Sequence, residues 1–249
     1  MTTLHLNCEN GRRLAYRKRD GASGLTFVWL SGFMSDMSGT KVTELEGWAE
    51  AEDHGFLAFD YSGHGESDGA FEDGTISAWL EDSLNVIQGC TDGPLVLVGS
   101  SMGGWMALLA ALALKDRVKG LVLIAPAPDF TEKLMWPEFS DEARAEIMNN
   151  GVHMRPSDYG DPYPITRNLI EDGQQWSILD RTIQFHGPVR ILQGREDPDV
   201  PWSHAFRLVE TMASKDLVFQ LVKDGDHRLS RPQDIDRLKA TCAEIATAV

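Results

Sequence analysis

A serine, an acid and a histidine stand in this sequence in the order that nucleophilic acyl transfer requires. Gly99-Ser100-Ser101-Met102-Gly103 is a GxSxG run. It follows the apolar stretch Leu95–Val98 directly and opens another apolar stretch with helical spacing, Met102–Lys115. A strand–turn–helix setting is the one in which such a run presents a nucleophile. The turn is sharp, so the residues two positions either side of its apex must be small. It lifts the serine Oγ to the carboxyl end of the sheet. It also sets the serine at a helix N-terminus, where the dipole and free N–H groups favour developing negative charge. Ser100 precedes the apex, and only Ser101 has glycine at both −2 and +2.

The serine needs a base to take its proton. Of seven histidines, His227 stands in the loop Lys223–Arg228 after the last apolar run, Leu217–Val222. The chain order for a serine presented in this way is Ser, then Asp or Glu, then His. His204 is the rival, one turn into a helix-like stretch. His5, His54, His153 and His186 are out of order, and His64 belongs to another motif. The acid is expected after the penultimate apolar run, Val189–Leu192. Asp197, three residues past Gly194, can turn back to hold the imidazole tautomer, with Asp199 and Glu196 as alternatives. Two backbone donors must face the oxygen that becomes charged in the tetrahedral intermediate. Met102 N–H is one, and Phe33 N–H, in Leu30-Ser31-Gly32-Phe33-Met34, is the other.

These residues need a scaffold of strands ending at one rim. Leu25–Leu30, Phe56–Tyr61, Leu95–Val98, Leu121–Ala125, Val189–Leu192 and Leu217–Val222 are short apolar runs, and Leu4–Asn7 and Leu14–Arg17 form an early pair. Continuous apolarity means burial on both faces, as in a mostly parallel sheet covered by helices. Thr40–Asp53, Ile76–Ile87, Met102–Lys115, Ser203–Met212 and Gln233–Ala248 carry apolar residues at helical spacing. The alternation predicts a doubly wound α/β fold over residues 1–249 as a single domain. Between Pro126 and Pro188 the rhythm breaks: about sixty residues hold no buried strand and one helix, Asp141–Asn150, too long for a structureless loop. This stretch, with Trp136, Tyr159, Tyr163 and Trp176, reads as a cap insertion spanning 127–187.

Composition removes other functions. The 249 residues are 42% hydrophobic and 24% charged, a globular balance that excludes wholesale disorder. With 38 acids against 23 bases the net charge is −15, which repels polyanions and excludes nucleic acid as a partner. No apolar run reaches the about 18 residues of a membrane span. Cys8, Cys90 and Cys242 lie far apart, a pattern of reduced thiols, and the polar N-terminus carries no secretory signal, so the expectation is cytoplasmic. HExxH, GxGxxG and Walker A runs are missing, so neither a metal nor a nucleotide cofactor is expected.

With these residues assembled, the chain resembles the α/β-hydrolase family over essentially its whole length. Asp60-Tyr61-Ser62-Gly63-His64-Gly65-Glu66-Ser67 is similar to the family's DxxGxGxS loop, which implies a structural role for His64. Gly32–Lys41, Phe59–Gly63, Gly99–Trp105, Val200-Pro201-Trp202 and Asp226-His227-Arg228 resemble a branch that contains acyl-protein thioesterases and acyl-glucuronide esterases. The resemblance implies cleavage of acyl esters or thioesters and carries over the roles of Ser101, Asp197 and His227.

The expected substrate is acylated, with an apolar acyl group. Phe33, Met34, Trp136, Tyr163 and Trp202 are the candidate binding residues, with Met102, Phe130, Met135, Phe139 and Trp176 as further apolar material. The same three polar residues would also serve a carbon–carbon bond hydrolase or an acyltransferase. A non-catalytic receptor is the alternative from another class, and the complete Ser–Asp–His set argues against it.

Overall fold

The apolar runs become sheet strands. In chain order they are β1 (Leu4–Asn7), β2 (Arg13–Arg19), β3 (Thr26–Leu30), β4 (Gly55–Phe59), β5 (Leu95–Ser100) and β6 (Val118–Ile124). A separate hairpin, β7 (Val152–Ser157) and β8 (Gly160–Thr166), precedes β9 (Val189–Gly194) and β10 (Leu217–Val222). The computed structural model describes residues 1–157 and 160–249, so Tyr159 lies outside the described residues. Eight strands form one sheet in the order β1-β2-β4-β3-β5-β6-β9-β10. β1 pairs antiparallel with β2, and β2 with β4. Every other neighbouring pair in the sheet is parallel.

The helices are α1 (Thr40–Ala51), α2 (Ile76–Cys90), α3 (Met102–Leu114), a single turn α4 (Trp136–Glu138), α5 (Asp141–Asn150), α6 (Arg167–Gln175), α7 (Trp202–Thr211) and α8 (Pro232–Ala248). Strand side chains alternate between two cores, as the period of two dictates. Val28, Leu30, Leu57, Leu97 and Ile191 face α2, α3 and α7. Phe27, Trp29, Phe56, Val98 and Ile124 face α1 and α8. Each of β4, β5 and β9 is buried at every residue, which accounts for the apolar runs Phe56–Phe59 and Leu95–Val98, while β9 also buries Arg190, paired with Asp216 and Glu244, and Gln193. None of the described helices is long and apolar enough to cross a membrane.

The stretch between β6 and β9 is more ordered than its sequence indicates. Besides α5 it holds the β7–β8 hairpin, α6 and a wide turn at Thr131–Met135. Pro156 and Pro164 lie within the hairpin strands, where proline argues against strand because it removes a ladder donor. The pairing is tolerated because this ladder has only two strands. Helix α6 is nine residues long and has two adjacent apolar residues, Leu169 and Ile170, so it offers no apolar run to read in the sequence. Its start is marked by Thr166, whose hydroxyl caps Leu169 N–H at 3.2 Å.

Both ends of this excursion are tied down. Buried Asp129 accepts hydrogen bonds from Ser177 Oγ (2.7 Å), Ile178 N–H (2.9 Å) and Leu179 N–H (3.0 Å). On α6, Asp172 accepts from Ser77 N–H at 2.8 Å, and Trp176 Nε1–H donates to Ser77 Oγ at 2.7 Å. Trp176 thus fastens α6 to the start of α2.

Candidate active site

Ser101 stands between β5 and α3 with φ +56° and ψ −121°, a conformation that side chains rarely adopt. Its neighbours explain why the turn holds. A Cβ on Gly99 would lie 2.2 Å from Gly103 O, and a Cβ on Gly103 would lie 2.0 Å from Leu30 O. Any side chain at either position would force β5, α3 and β3 apart. Ser101 N–H donates to Ile124 O at 2.9 Å, and Ser101 O accepts from Gly104 N–H at 2.8 Å and Ala127 N–H at 3.1 Å. The backbone is fixed on both sides, which leaves the side chain at the sheet's carboxyl rim.

His227 reaches Ser101 from the loop after β10. Its Nε2 lies 3.2 Å from Ser101 Oγ, and its Nδ1 lies 2.8 Å from Asp197 Oδ2. A carboxylate facing Nδ1 keeps the proton there, so Nε2 carries the lone pair that faces the serine hydroxyl. Asp197 is buried and accepts three further hydrogen bonds: Asp199 N–H at 2.9 Å, Val200 N–H at 2.8 Å and Gln193 Nε2–H at 3.0 Å. The acid loop and the histidine loop are pressed together at Gly194, where a Cβ would lie 2.4 Å from Asp226 O and Gly225 O. Glu196 N–H donates to Gly225 O at 2.9 Å across the same seam, while its own residue stays exposed.

The structure therefore brings Ser101, His227 and Asp197 into one hydrogen-bonded line. Rival His204 is buried on α7, and its Nε2–H donates to Pro128 O at 2.8 Å. Burial lowers its proton affinity. Oxygens of Asp197 and Asp199 and a nitrogen of His227 come within 4.8 Å of one another. Both Asp197 oxygens are already acceptors for protein N–H groups, so the grouping reads as the acid–base pair and its neighbour rather than a cation cage.

Phe33 and Met102 flank the serine. Met102 is the first residue of α3, so its N–H has no carbonyl partner within the helix. Phe33 lies one residue past Gly32, where a Cβ would be 3.4 Å from Ser101 Cβ. Met34 follows with φ +54°, and its N–H donates to His64 Nε2 at 3.2 Å. Asp60 Oδ1 accepts Met37 N–H at 2.7 Å, and Arg17 donates to Met37 O. Burial pushes the Asp60 carboxyl up, against the opposing pull of hydrogen bonds from Glu66 and Met37 N–H.

A cavity of about 940 Å³ opens over Ser101 and His227. Phe33, Met34, Met102, Phe130, Met135 and Tyr163 line its apolar part, and Lys41, Arg155 and Arg228 are among its charged residues. Trp136 and Trp202 are not among its lining. Trp136 turns to meet Phe139 edge-to-face and lies under the Arg144 guanidinium. Trp202, at the first turn of α7, is exposed and packs on Phe206. Phe139 and Trp176 likewise stand outside the lining.

Two neighbouring residues had no sequence reading. Gln193, the penultimate residue of β9, donates to Asp197, and its only signal is a polar side chain after an apolar run. Lys41 lies on the first turn of α1, where the dipole disfavours a cation. It donates to Arg228 O beside His227, and desolvation lowers its pKa to about 8 against the pull of Asp226.

A mostly parallel sheet with a serine on a strained turn between β5 and α3, an acid after β9 and a histidine after β10 defines a class. Residues 27–238 match the family model described as "Alpha/beta hydrolase family", and the chain belongs to that family. Human "Palmitoyl-protein thioesterase ABHD10, mitochondrial" is 35% identical over 243 residues, covering 96% of this chain and 78% of its own. The structure of alpha/beta hydrolase domain-containing protein 10 from mouse superposes with TM-score 0.90 at 32% identity, covering 98% of both chains. A crystal structure of a protein from Agrobacterium vitis S4 gives TM-score 0.94 at 46% identity, again over 98% of both chains.

Proposed function

We propose that the protein is a serine hydrolase that cleaves carboxylic esters or thioesters of apolar acyl groups through an acyl-enzyme. His227 Nε2 takes the proton from Ser101 Oγ as the oxygen attacks the acyl carbonyl. The N–H groups of Phe33 and Met102 hold the resulting oxyanion. The imidazolium, stabilised by Asp197, then protonates the departing thiol or alcohol. Water, deprotonated by the same histidine, attacks the acyl-serine and releases the acid.

One observation carries this reading: the 3.2 Å and 2.8 Å contacts that join Ser101, His227 and Asp197 in series. The cavity supports the substrate class. At about 940 Å³ it is large for a small-molecule site, and aromatic and methionine side chains form part of its lining. The palmitoyl-protein thioesterases among the relatives support a long-chain thioester as the first substrate to try. Residues 127–187 serve as the cap of one hydrolase domain spanning the chain, since Phe130, Met135 and Tyr163 bring that stretch into the cavity lining. The free thiols Cys8, Cys90 and Cys242 support a reducing compartment such as the cytoplasm.

The deciding experiment compares wild type with Ser101→Ala on a p-nitrophenyl ester and a long-chain acyl thioester. Wild type is expected to turn over both and to bond covalently to a fluorophosphonate. Ser101→Ala is expected to do neither, and turnover that survives the substitution rejects the assignment.

A further inference from the structure

We propose that His64 is a positioning residue for the oxyanion-binding loop: its Nε2 accepts the Met34 N–H and thereby sets the direction of the preceding amide, Phe33 N–H. This rests on the reading of Phe33 and Met102 as the oxyanion donors.

The loop needs such a support. Met34 has φ +54°, a left-handed conformation that a side chain disfavours, so the loop will relax unless something holds it. On one side of Phe33 the chain is pinned at Gly32, which packs against Ser100 and Ser101. On the other side the first fixed point is the 3.2 Å hydrogen bond from Met34 N–H to His64 Nε2. The next are Ser35 N–H, which closes a turn onto Gly32 O at 3.1 Å, and Met37 N–H, held by Asp60 at 2.7 Å. The Ser35 hold lies within the loop itself, whereas the His64 and Asp60 holds both come from the turn that follows β4, so that turn grips the loop at two further amides.

The tautomer is fixed by the same geometry. His64 Nδ1 lies 3.2 Å from Ser62 O, which can only accept, so the proton sits on Nδ1 and Nε2 is left as an acceptor. The ring is 5% exposed and meets Tyr61, Phe71 and Trp79 edge-on at 5.6, 5.2 and 5.3 Å. Phe33 packs on two of those rings, Phe71 at 5.0 Å and Trp79 at 5.9 Å, so the loop's side chain and its backbone are supported by one aromatic group. Burial also lowers the proton affinity of His64, which favours the neutral ring that has a lone pair to offer. A histidine is suited to this place because it combines an aromatic face for packing with an edge acceptor. Phenylalanine would keep the first and lose the second.

The test uses His64→Phe and His64→Gln beside wild type. In His64→Phe, kcat on an aryl ester is expected to fall by about 10- to 100-fold, less than loss of a whole oxyanion donor, with KM little changed. Inhibition by an alkyl boronic acid, whose tetrahedral adduct on Ser101 puts an oxygen in the oxyanion site, should weaken in parallel. Amide hydrogen exchange at Met34 should quicken. His64→Gln, whose Oε1 can accept the same N–H, should recover most of kcat and boronate affinity. Unchanged kcat and boronate inhibition in a folded His64→Phe overturn the proposal, as does a glutamine variant no better than phenylalanine. Should the phenylalanine variant not fold, wild type still decides: a Met34 amide that exchanges freely at neutral pH overturns it. Failure of the hydrolase reading shows separately, as wild type that neither turns over ester nor labels with fluorophosphonate.

Discussion

Gly103, two residues past the serine, lies against the carbonyl of Leu30 so closely that a methyl group there would sit 2.0 Å from the oxygen. The obstacle is backbone in the middle of the sheet, so it cannot swing aside. Gly103→Ala is expected to push α3 away from β3, to cost about 1–3 kcal/mol of stability as overpacking does, and to abolish most activity by moving Ser101 and the oxyanion loop apart. Gly39→Ala is the control: nothing lies within 4 Å of a Cβ there. Urea unfolding and ester turnover of the two variants check the contrast, and an active, stable Gly103→Ala contradicts it.

Asp197 and Asp199 both stand near the histidine, and the proposed mechanism gives the orienting role to Asp197 alone. Asp197 faces Nδ1 at 2.8 Å, whereas Asp199 is exposed and contributes its backbone N–H to Asp197 Oδ1. Asp197→Asn keeps the shape but favours the wrong imidazole tautomer, and kcat is expected to fall by about four orders of magnitude, as the same change does in serine proteases. Asp199→Asn keeps the N–H donor and should leave kcat near the wild-type value. Steady-state kinetics on one ester reads both, and equal losses in the two variants refute the assignment.

The sheet and the three polar residues were legible from sequence for a common reason. Buried parallel strands such as Leu95–Val98 are unbroken apolar runs, and the residues that follow them fall at the rim where chemistry is done. Ser101 is marked further by a steric rule, small residues on both sides, which corresponds to the 2.2 and 2.0 Å contacts an added Cβ would make. What was not legible is mutual support across the fold. Gln193 and Asp197 are four residues apart, yet nothing in their spacing signals that the amide faces the carboxylate. His64 and Met34 meet only because two loops end at the same rim. The β7–β8 hairpin was hidden by prolines that a two-stranded ladder can accept. Trp136 and Trp202 failed as pocket residues because aromatic type says how much area is buried, not which way a ring turns.

Asp129 is expected to be the latch of the proposed cap. Its carboxylate is buried and gathers three donors from Ser177, Ile178 and Leu179, fifty residues on in sequence. Hydrogen bonds to a charged group contribute about 1.5–3 kcal/mol each. Asp129→Ala leaves two buried N–H groups without their acceptor, so a loss of about 3 kcal/mol or more is expected. Limited proteolysis should then cut first between residues 129 and 180. A variant as stable and protease-resistant as wild type would show that the latch carries no load.

Lys41 ties stability to alkaline pH. Its ammonium is largely desolvated beneath the His227 loop, which lowers its pKa to about 8, with Asp226 and Asp234 opposing and Arg228 reinforcing the shift. An unfolded lysine titrates near 10.4. Between these values the unfolded chain binds more protons than the folded one, so by linkage the stability contributed by this site rises as pH increases from about 8 toward 10.4. Below pH 8 both states are protonated, and the folded state bears the full cost of a desolvated charge. Lys41→Met keeps the aliphatic stem and removes the titration. The melting temperature of wild type minus that of Lys41→Met is therefore expected to climb between pH 8 and 10 and to be flat from pH 6 to 7. A difference that falls with pH would mean that the amine is held as a favourable cation by the carboxylates around it, and the sign of the slope alone separates the two cases.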